Sequence, residues 1–310
     1  MNRKNTFVTT ALATAIGLLV GGSATATEPC GDFGECKVLV EINSSDGDIG
    51  FHFLMDGDDL RRGILFNPDH KKIFAYTTRR ELGEQYLTET FAESAEPLCF
   101  DPTLDDDDEN DDEDFVTLTE FLDRWEPGTY KFFGISDGWE LSFGASELTF
   151  DLPAAPAEVD LEFEMEDGDL EADITWMPGE DLGECSDGME LLPTHPADVP
   201  VAAWEVVLEP DLEDGDPTGQ MVYSVRIPGD AYDEIDEDGN WIFDLEVPDD
   251  YLETLPANTP VKVEVGAIGV DDNATFTEED EFCVNDTDPE DADEDGLNGC
   301  GFEVDDEDDD

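Results

Sequence analysis

The chain has 310 residues, of which 85 are acidic and 13 are basic, so its formal net charge at pH 7 is −72. A surface this negative repels phosphate backbones and anionic lipid headgroups, which excludes nucleic acids and anionic membranes as expected partners. The excess of carboxylates is typical of soluble monomers, and of halophilic proteins whose self-repulsion is screened by salt.

The first 26 residues have the layout of a secretory signal peptide. Arg3 and Lys4 precede an apolar run over Ala11–Val20, and Ala24-Thr25-Ala26 fits a small-residue cleavage site. The run is too short to span a bilayer, and no later segment approaches the roughly 20 apolar residues that a membrane span needs. We expect an exported protein of bacterial type, located in the periplasm, on the cell surface or outside the cell.

After a short leader over residues 27–36, the sequence predicts a first β-sandwich domain over residues 37–152. Val38, Val40 and Ile42 alternate with other residues, as in a strand with one buried face. Turn residues at 67–70 and 134–138 separate apolar runs and predict two hairpins. An acidic run at 105–114 suits neither a strand nor a packed helix, and it predicts a disordered or cation-holding loop.

A second domain is predicted over residues 153–284, where the alternation of apolar and acidic residues is clearest. Val159, Leu161 and Phe163 alternate with carboxylates, and six further segments follow the same period. Seven half-buried strands of this length form a two-sheet sandwich. The fold class is therefore all-β, with two β-sandwich domains in tandem.

Three segments of this second domain resemble a fibronectin type III domain: Pro153-Ala-Ala-Pro156, Ile174-Thr175-Trp176 followed by Pro178, and Pro260-Val-Lys-Val-Glu-Val-Gly-Ala267. The resemblance implies a fibronectin type III or immunoglobulin-like sandwich with a core tryptophan on its second strand. Val261 stands where that family usually has a tyrosine, so the tyrosine-corner hydrogen bond is not expected. Such domains are mostly adhesive or spacer modules, although a fold alone does not give a function.

The tail over residues 285–310 is rich in carboxylates, and we expect it to be disordered without metal. Asp291, Asp293 and Asp295 stand at positions 1, 3 and 5 of a loop that turns at Gly296, as calcium ligands do. The motif resembles EF-hand-like and thrombospondin type 3 loops, with Asp286 and Asp288 as further oxygen donors. Ca²⁺ is thus the one expected cofactor, against the alternative that an acidic tail contains this pattern by chance.

The basic residues are unevenly distributed. Six of the eleven that remain after Arg3 and Lys4 lie within twenty residues, at Arg61, Arg62, Lys71, Lys72, Arg79 and Arg80. We expect this basic patch to bind an acidic element, either the run at 105–114 of the same chain or an anionic glycan or acidic partner.

Six cysteines in an exported chain predict three disulfides. In a fibronectin type III sandwich the loop after the second strand lies at the pole of the N-terminus, which places Cys185 towards Cys99. Cys283 ends the last strand at the opposite pole and is expected to pair with Cys300, and Cys30 with Cys36 completes the set.

The preferred function is non-catalytic: a secreted or cell-surface adhesion, binding or scaffold protein with an unknown protein or glycan ligand. A carbohydrate-binding module is the first alternative, because Trp125 and Trp139 are candidates for stacking on sugars. A hydrolase of unrecognised type is the second. Gly134-Ile-Ser136-Asp-Gly138 matches the spacing of a nucleophile elbow, but a hairpin is the wrong context for one.

Overall fold

The structure is a computed structural model, and it describes residues 30–101, 115–166, 169–212, 217–232, 234–235, 241–284 and 300. The acidic run at 105–114 and the tail beyond residue 284, apart from Cys300, lie outside these ranges. Within them, no helix is long and apolar enough to cross a membrane.

In the first half, the residues that the structure describes form six strands and two short α-helices. The strands are β1 (Glu35–Asn43), β2 (Asp48–Phe66), β3 (Lys72–Thr77), β4 (Leu87–Glu93), β5 (Gly128–Ser136) and β6 (Leu141–Leu148), and the helices are α1 (Leu82–Gln85) and α2 (Leu118–Arg124). Both predicted hairpins are present, as the pairs β2–β3 and β5–β6.

Strand β2 organises this half because its two ends belong to different parts of the sheet. Its first part pairs with β1 and β4, and its last part pairs with β3 and β5. The register shifts around Leu60, next to Asp59 with a positive φ of 50°. A strand that bends at such a register shift can take part in two sheets that pack on each other. Val38, Val40 and Ile42 all face the enclosed core, as their spacing predicted.

The described residues of the second half form eight strands and one short α-helix, besides short 3-10 helices. They are β7 (Ala157–Glu166), β8 (Asp169–Met177), β9 (Val201–Pro210), β10 (Tyr223–Pro228), β11 (Glu234–Ile235), β12 (Trp241–Glu246), α3 (Asp249–Leu252), β13 (Thr259–Gly269) and β14 (Ala274–Val284). The order β7-β8-β12-β11 faces the order β14-β13-β9-β10. These orders correspond to the A-B-E-D and G-F-C-C′ sheets of an immunoglobulin-like sandwich.

The core of this sandwich is aromatic. Trp176, Trp204 and Phe243 are fully buried, and Trp176 stacks on Phe243 with ring centroids 5.2 Å apart. The all-β sandwich fold is therefore confirmed, while membership of the fibronectin type III family stays a prediction. Tyr251 on α3 donates its hydroxyl hydrogen bond to the carbonyl of Leu208 or Met221, at 3.0 Å and 2.8 Å. It thus connects the segment between β12 and β13 to the sheet that contains β9 and β10.

The two halves share one sheet. Strand β1 pairs in parallel with β14, with Glu41 opposite Ala274, and the result is a ten-stranded sheet through both predicted domains. The segment 153–156, where the second domain was predicted to begin, is buried. Thr275 and Thr277 donate hydrogen bonds of 2.7 Å to the carbonyls of Pro153 and Pro156. The predicted boundary thus lies in a tightly held junction.

The disulfides have the predicted pairing: Cys30–Cys36, Cys99–Cys185 and Cys283–Cys300. Cys99–Cys185 bridges 86 residues and joins the segment after β4 to a 3-10 helix at Gly183–Ser186 in the second half. It is therefore a covalent tie across the same junction.

Candidate functional sites

Two regions concentrate chemistry: an outer apolar face of the first half, and an acidic cavity at the junction. The predicted calcium ligands Asp286, Asp288, Asp291, Asp293 and Asp295 belong to neither, because they lie outside the described residues. The same holds for the acidic run at 105–114, the predicted intramolecular partner of the basic patch.

The outer face belongs to the sheet β3-β2-β5-β6. Because Leu65 and Phe132 point into the core, their neighbours Ile64 and Phe133 point outwards. Leu141 and Phe143 continue the face on β6, with exposures of 54% and 55%. The ring centroids of Phe133 and Phe143 lie 5.2 Å apart. Ile64 is only 8% exposed and Phe133 is half-buried, so the exposed part of the face is formed by Leu141 and Phe143. An exposed apolar patch marks a candidate interaction surface.

Trp139 stands at the end of this face, in the turn between β5 and β6. It is 71% exposed and has a positive φ of 63°. The guanidinium of Arg61 lies over its ring, 5.5 Å from the centroid. Such a pair offers an aromatic plane and a cation to the same ligand.

Trp125, the other predicted sugar-stacking residue, has a different role. Its ring stacks on Phe51 with centroids 4.0 Å apart and packs against the first core. The sequence could not separate the two tryptophans, because neither lies within a clear alternating strand pattern.

The basic patch borders the outer face and is largely unneutralised. Lys71 forms an ion pair with Asp69 at 2.7 Å, while the other five residues of the patch form none with the described residues. Arg62 projects from the outer face between Thr77 and Ile135, and its Nε is buried without a hydrogen-bond partner. Elsewhere among the described residues, Lys37, Arg226 and Lys262 are ion-paired, whereas Arg124 and Lys131 are not. These cations therefore stay available to an anionic ligand, in a chain where carboxylates are in large excess.

The acidic cavity has a volume of about 30 Å³ and lies where β1 and β2 meet β13 and β14. It is lined by Glu41, Asn43, Asp46, Asp48, Glu96, Glu264 and Phe276. Every charged side chain in this lining is a carboxylate. The cavity is large enough for one or two water molecules or a single ion.

His52 stands behind two of these carboxylates. Its side chain is 3% exposed, its Nε2 lies 2.9 Å from Glu96 Oε1, and its Nδ1 lies 3.8 Å from Glu41 Oε2. Burial by itself lowers the pKa of His52, but the hydrogen bond to Glu96 and the charge of Glu41 outweigh it and raise the pKa. One ligand atom from each of the three residues falls within 4.8 Å of the others, a spacing that could hold a metal ion.

Three carboxylates of the cavity, those of Glu41, Asp48 and Glu264, are destabilised in their charged form. Burial and the charge of Glu96 raise the pKa of Asp48 to about 7. Burial and the charge of Glu278 raise the pKa of Glu264 to about 8. Burial raises the pKa of Glu41 as well. Desolvation and like-charge repulsion thus act together at this site.

Sequence reasoning missed the cavity. Asp and Glu are so frequent here that no pair of them carries a signal, and the lining comes from segments more than 200 residues apart. His52 was the one available clue, as a polar residue between the core positions Phe51 and Phe53.

The Ser136 turn has the context expected for a hairpin. Ser136 N donates to Glu140 O at 3.0 Å and closes the turn between β5 and β6. A nucleophile elbow leads from a strand into a helix, and here a strand follows.

No protein-family model matches the chain, and no curated protein sequence matches it. Among solved structures, a tetra-tandem repeat in the extending region of a large adhesion protein aligns at 11% identity and a TM-score of 0.23, over 81% of this chain and 49% of that chain. The purple acid phosphatase PPD1 from yellow lupin (Lupinus luteus) seeds aligns at 11% identity and a TM-score of 0.25, over 80% and 41%. A β-glucuronidase from glycoside hydrolase family 2 gives 12% identity and a TM-score of 0.18, over 79% and 20%. The chain spans about half or less of the length of each, and similarity this low does not establish a shared fold.

Proposed function

We propose that the protein is an exported, non-catalytic binding protein that contacts an anionic glycan through the outer face of its first half. The observation that carries this proposal is the exposed aromatic row bordered by unpaired cations. Trp139 and Phe143 offer ring planes for sugar faces, and Arg61 and Arg62 offer guanidinium groups for carboxylates.

Charge favours an anionic ligand over a neutral one. The chain contains 85 acidic residues, yet Arg61, Arg62, Lys72, Arg79 and Arg80 form no ion pair with the described residues, and Lys71 pairs only with Asp69. Guanidinium groups bind carboxylates through charge-assisted and often bidentate hydrogen bonds, which a neutral sugar does not offer.

Export is part of the proposal. The signal-like N-terminus and three disulfides support it, since disulfides persist in oxidising compartments.

The test is a calorimetric titration of residues 27–310 with an oligouronate and with a neutral oligosaccharide of the same length. We expect the oligouronate to bind more tightly, with an affinity that falls as NaCl rises. Trp139→Ala and Arg62→Gln should each weaken oligouronate binding by about tenfold or more.

The matched control is Trp241→Ala, which removes another exposed tryptophan, on β12 in the second half. It should leave the affinity unchanged. The glycan proposal fails if the oligouronate does not bind, or if Trp241→Ala weakens binding as much as Trp139→Ala does.

A rigid scaffold or spacer is the second candidate function. It is favoured by the ten-stranded sheet that runs through both halves and by the Cys99–Cys185 tie across the junction. This candidate needs no ligand on the outer face, and it is the one left if the titration shows no binding.

A further inference from the structure

Three side chains with metal-binding groups meet over Gly50, on the face of β2 that points away from the first core. Gly50 pairs with Glu41 of β1, so Glu41 and His52 are diagonal neighbours on this face of the two strands. A Cβ on Gly50 would lie 2.7 Å from His52 Nε2 and 2.9 Å from Glu96 Oε1, which is closer than side chains tolerate. The glycine thus leaves open the space in which the imidazole and this carboxylate meet.

The three groups are close enough to bind one ion. One atom from each of Glu41, His52 and Glu96 lies within 4.8 Å of the other two. Ligand atoms around a tetrahedral Zn²⁺ are roughly 3.3 Å apart, because each bond is about 2.0 Å long. Glu96 lies beyond β4, outside any strand, and its side chain is 34% exposed, so its rotatable bonds can close the remaining gap. Glu41 and His52 are held in place by two paired strands.

The charge of this group favours a divalent cation over a proton. Among the residues that the structure describes, His52 is the only ion-pair partner of Glu41 and Glu96. A proton on His52 neutralises one of the two carboxylates, whereas a divalent cation bound to a neutral imidazole neutralises both. The side chains of His52 and Glu41 are only 3% and 22% exposed, so part of this charge is removed from water, which is costly without a counter-ion.

One side of the group opens to the acidic cavity. Glu41 and Glu96 both contribute to the lining of this cavity, and its volume of about 30 Å³ has room for a water molecule. Zinc sites with three protein ligands take a water molecule as the fourth. The cavity therefore supplies the space that such a fourth ligand needs.

We propose that the protein binds one Zn²⁺ through a ring nitrogen of His52 and one carboxylate oxygen each from Glu41 and Glu96, with water from the cavity as the fourth ligand. Ca²⁺ and Mg²⁺ select sets of oxygen ligands, whereas an imidazole suits Zn²⁺. Zn²⁺ also has no geometric preference from its d-electrons, so it accepts ligands from two strands and a connecting segment.

The bound ion stabilises the fold near the junction. It joins β1, β2 and the segment after β4, which continues into Cys99 of the Cys99–Cys185 disulfide. Because it binds the folded chain, Zn²⁺ raises the Tm. This inference is independent of glycan binding, since the three ligands are not part of the outer face.

The test is a calorimetric titration of chelator-treated residues 27–310 with Zn²⁺, in an excess of Mg²⁺ that occupies weakly binding surface carboxylates. We expect one Zn²⁺ to bind per chain. His52→Gln and Glu96→Gln should each weaken binding by at least about tenfold, because loss of a group that only supports a metal ligand already has an effect of that size. Glu96 is exposed, so Glu96→Gln decides the question if the buried His52→Gln variant does not fold.

Glu93→Gln is the matched control for Glu96→Gln. Glu93 is an exposed carboxylate of β4 that stands opposite His52 but does not belong to the group of three. Its removal should leave the affinity for Zn²⁺ unchanged. The proposal is wrong if Glu96→Gln binds Zn²⁺ as tightly as the wild type, if Glu93→Gln weakens binding equally, or if Ca²⁺ binds as tightly as Zn²⁺.

Nuclear magnetic resonance of the imidazole rings shows whether the ion contacts His52. The chain has three histidines, so their ring signals can be assigned with the variants His70→Gln and His195→Gln. Zn²⁺ should shift the signals of His52 and leave those of His70 and His195 in place. Unchanged His52 signals at saturating Zn²⁺ would mean that carboxylates elsewhere in the chain, the tail included, bind the ion, and this result would overturn the proposal.

Discussion

Glu264 makes the stability of this fold depend on pH. Its position on β13 is fixed by the alternation that buries Val263 and Val265 on the other face, so its carboxylate must point towards β1 and the cavity. Ionisation of Glu264 at this position destabilises the folded state, because the folded state holds the Glu264 proton more tightly than the unfolded chain does.

The consequence is a defined pH dependence. Since the folded pKa of Glu264 is about 8 and its ordinary value is 4.5, its contribution to stability is fully present below about pH 4.5 and is lost as pH rises through 8. Glu264→Gln mimics the protonated form. We expect it to match the wild type near pH 4.5 and to be more stable by about 2 kcal/mol at pH 9.

Urea unfolding at the two pH values, in the presence of a chelator, measures this difference. Glu147→Gln, which changes an exposed carboxylate on β6, should show no such dependence on pH. An equal effect of Glu264→Gln at both pH values would show that its carboxylate is not held in its neutral form by the fold.

At the scale of elements, the turn between β13 and β14 holds the halves together. Asn273 in this turn is fully buried. Its Oδ1 accepts a hydrogen bond from Val40 N of β1 at 2.9 Å, and its Nδ2 donates within 3.3 Å of the carbonyls of Thr149 and Asp151. Lys37 of β1 adds an ion pair to Asp272 in the same turn, at 3.1 Å. The turn between β13 and β14 thus supplies hydrogen-bond partners both to β1 and to the residues just before the buried segment 153–156.

Asn273→Ala should therefore be costly. It leaves a buried N–H and two carbonyls without their partner, and we expect a loss of about 2–3 kcal/mol in the free energy of unfolding. The measurement is urea unfolding, with Asn67→Ala as the control because the amide of Asn67 serves only an exposed turn. A loss no larger than in that control would mean that the junction does not depend on Asn273.

Prediction from the sequence was accurate for elements and poor for the junction. The hairpins and the sandwich strands follow from local patterns, which depend on residues two to four positions apart. Parallel pairing of β1 with β14 depends on segments more than 200 residues apart, and no local pattern encodes it. Since the cavity is made by that pairing, it could not be predicted either.

At the scale of the whole molecule, the charge of −72 opposes compaction. The Cys99–Cys185 disulfide and the backbone pairing of β1 with β14 hold the junction together, and neither depends on charge. The remaining self-repulsion is spread over the surface and is open to screening by salt.

Stability should therefore increase with ionic strength. We expect the Tm of residues 27–310 in a chelator to rise by several degrees as NaCl increases, and to level off near 1 M, where the Debye length is about 3 Å. KCl should act like NaCl if screening is the cause. A Tm that stays constant from low to molar salt would contradict a net repulsive surface.

The sequence by itself determined the class of the protein: its charge, its signal-like start, its period-2 strands and its even set of cysteines are properties of composition and of near neighbours in the chain. The tertiary structure alone decided which carboxylates meet at the junction, that Trp125 is core while Trp139 is exposed, and that the two halves share a sheet. The physical reason is that burial, desolvation and like-charge repulsion depend on which distant segments pack together, and in a chain this rich in Asp and Glu the sequence does not mark the carboxylates that do so.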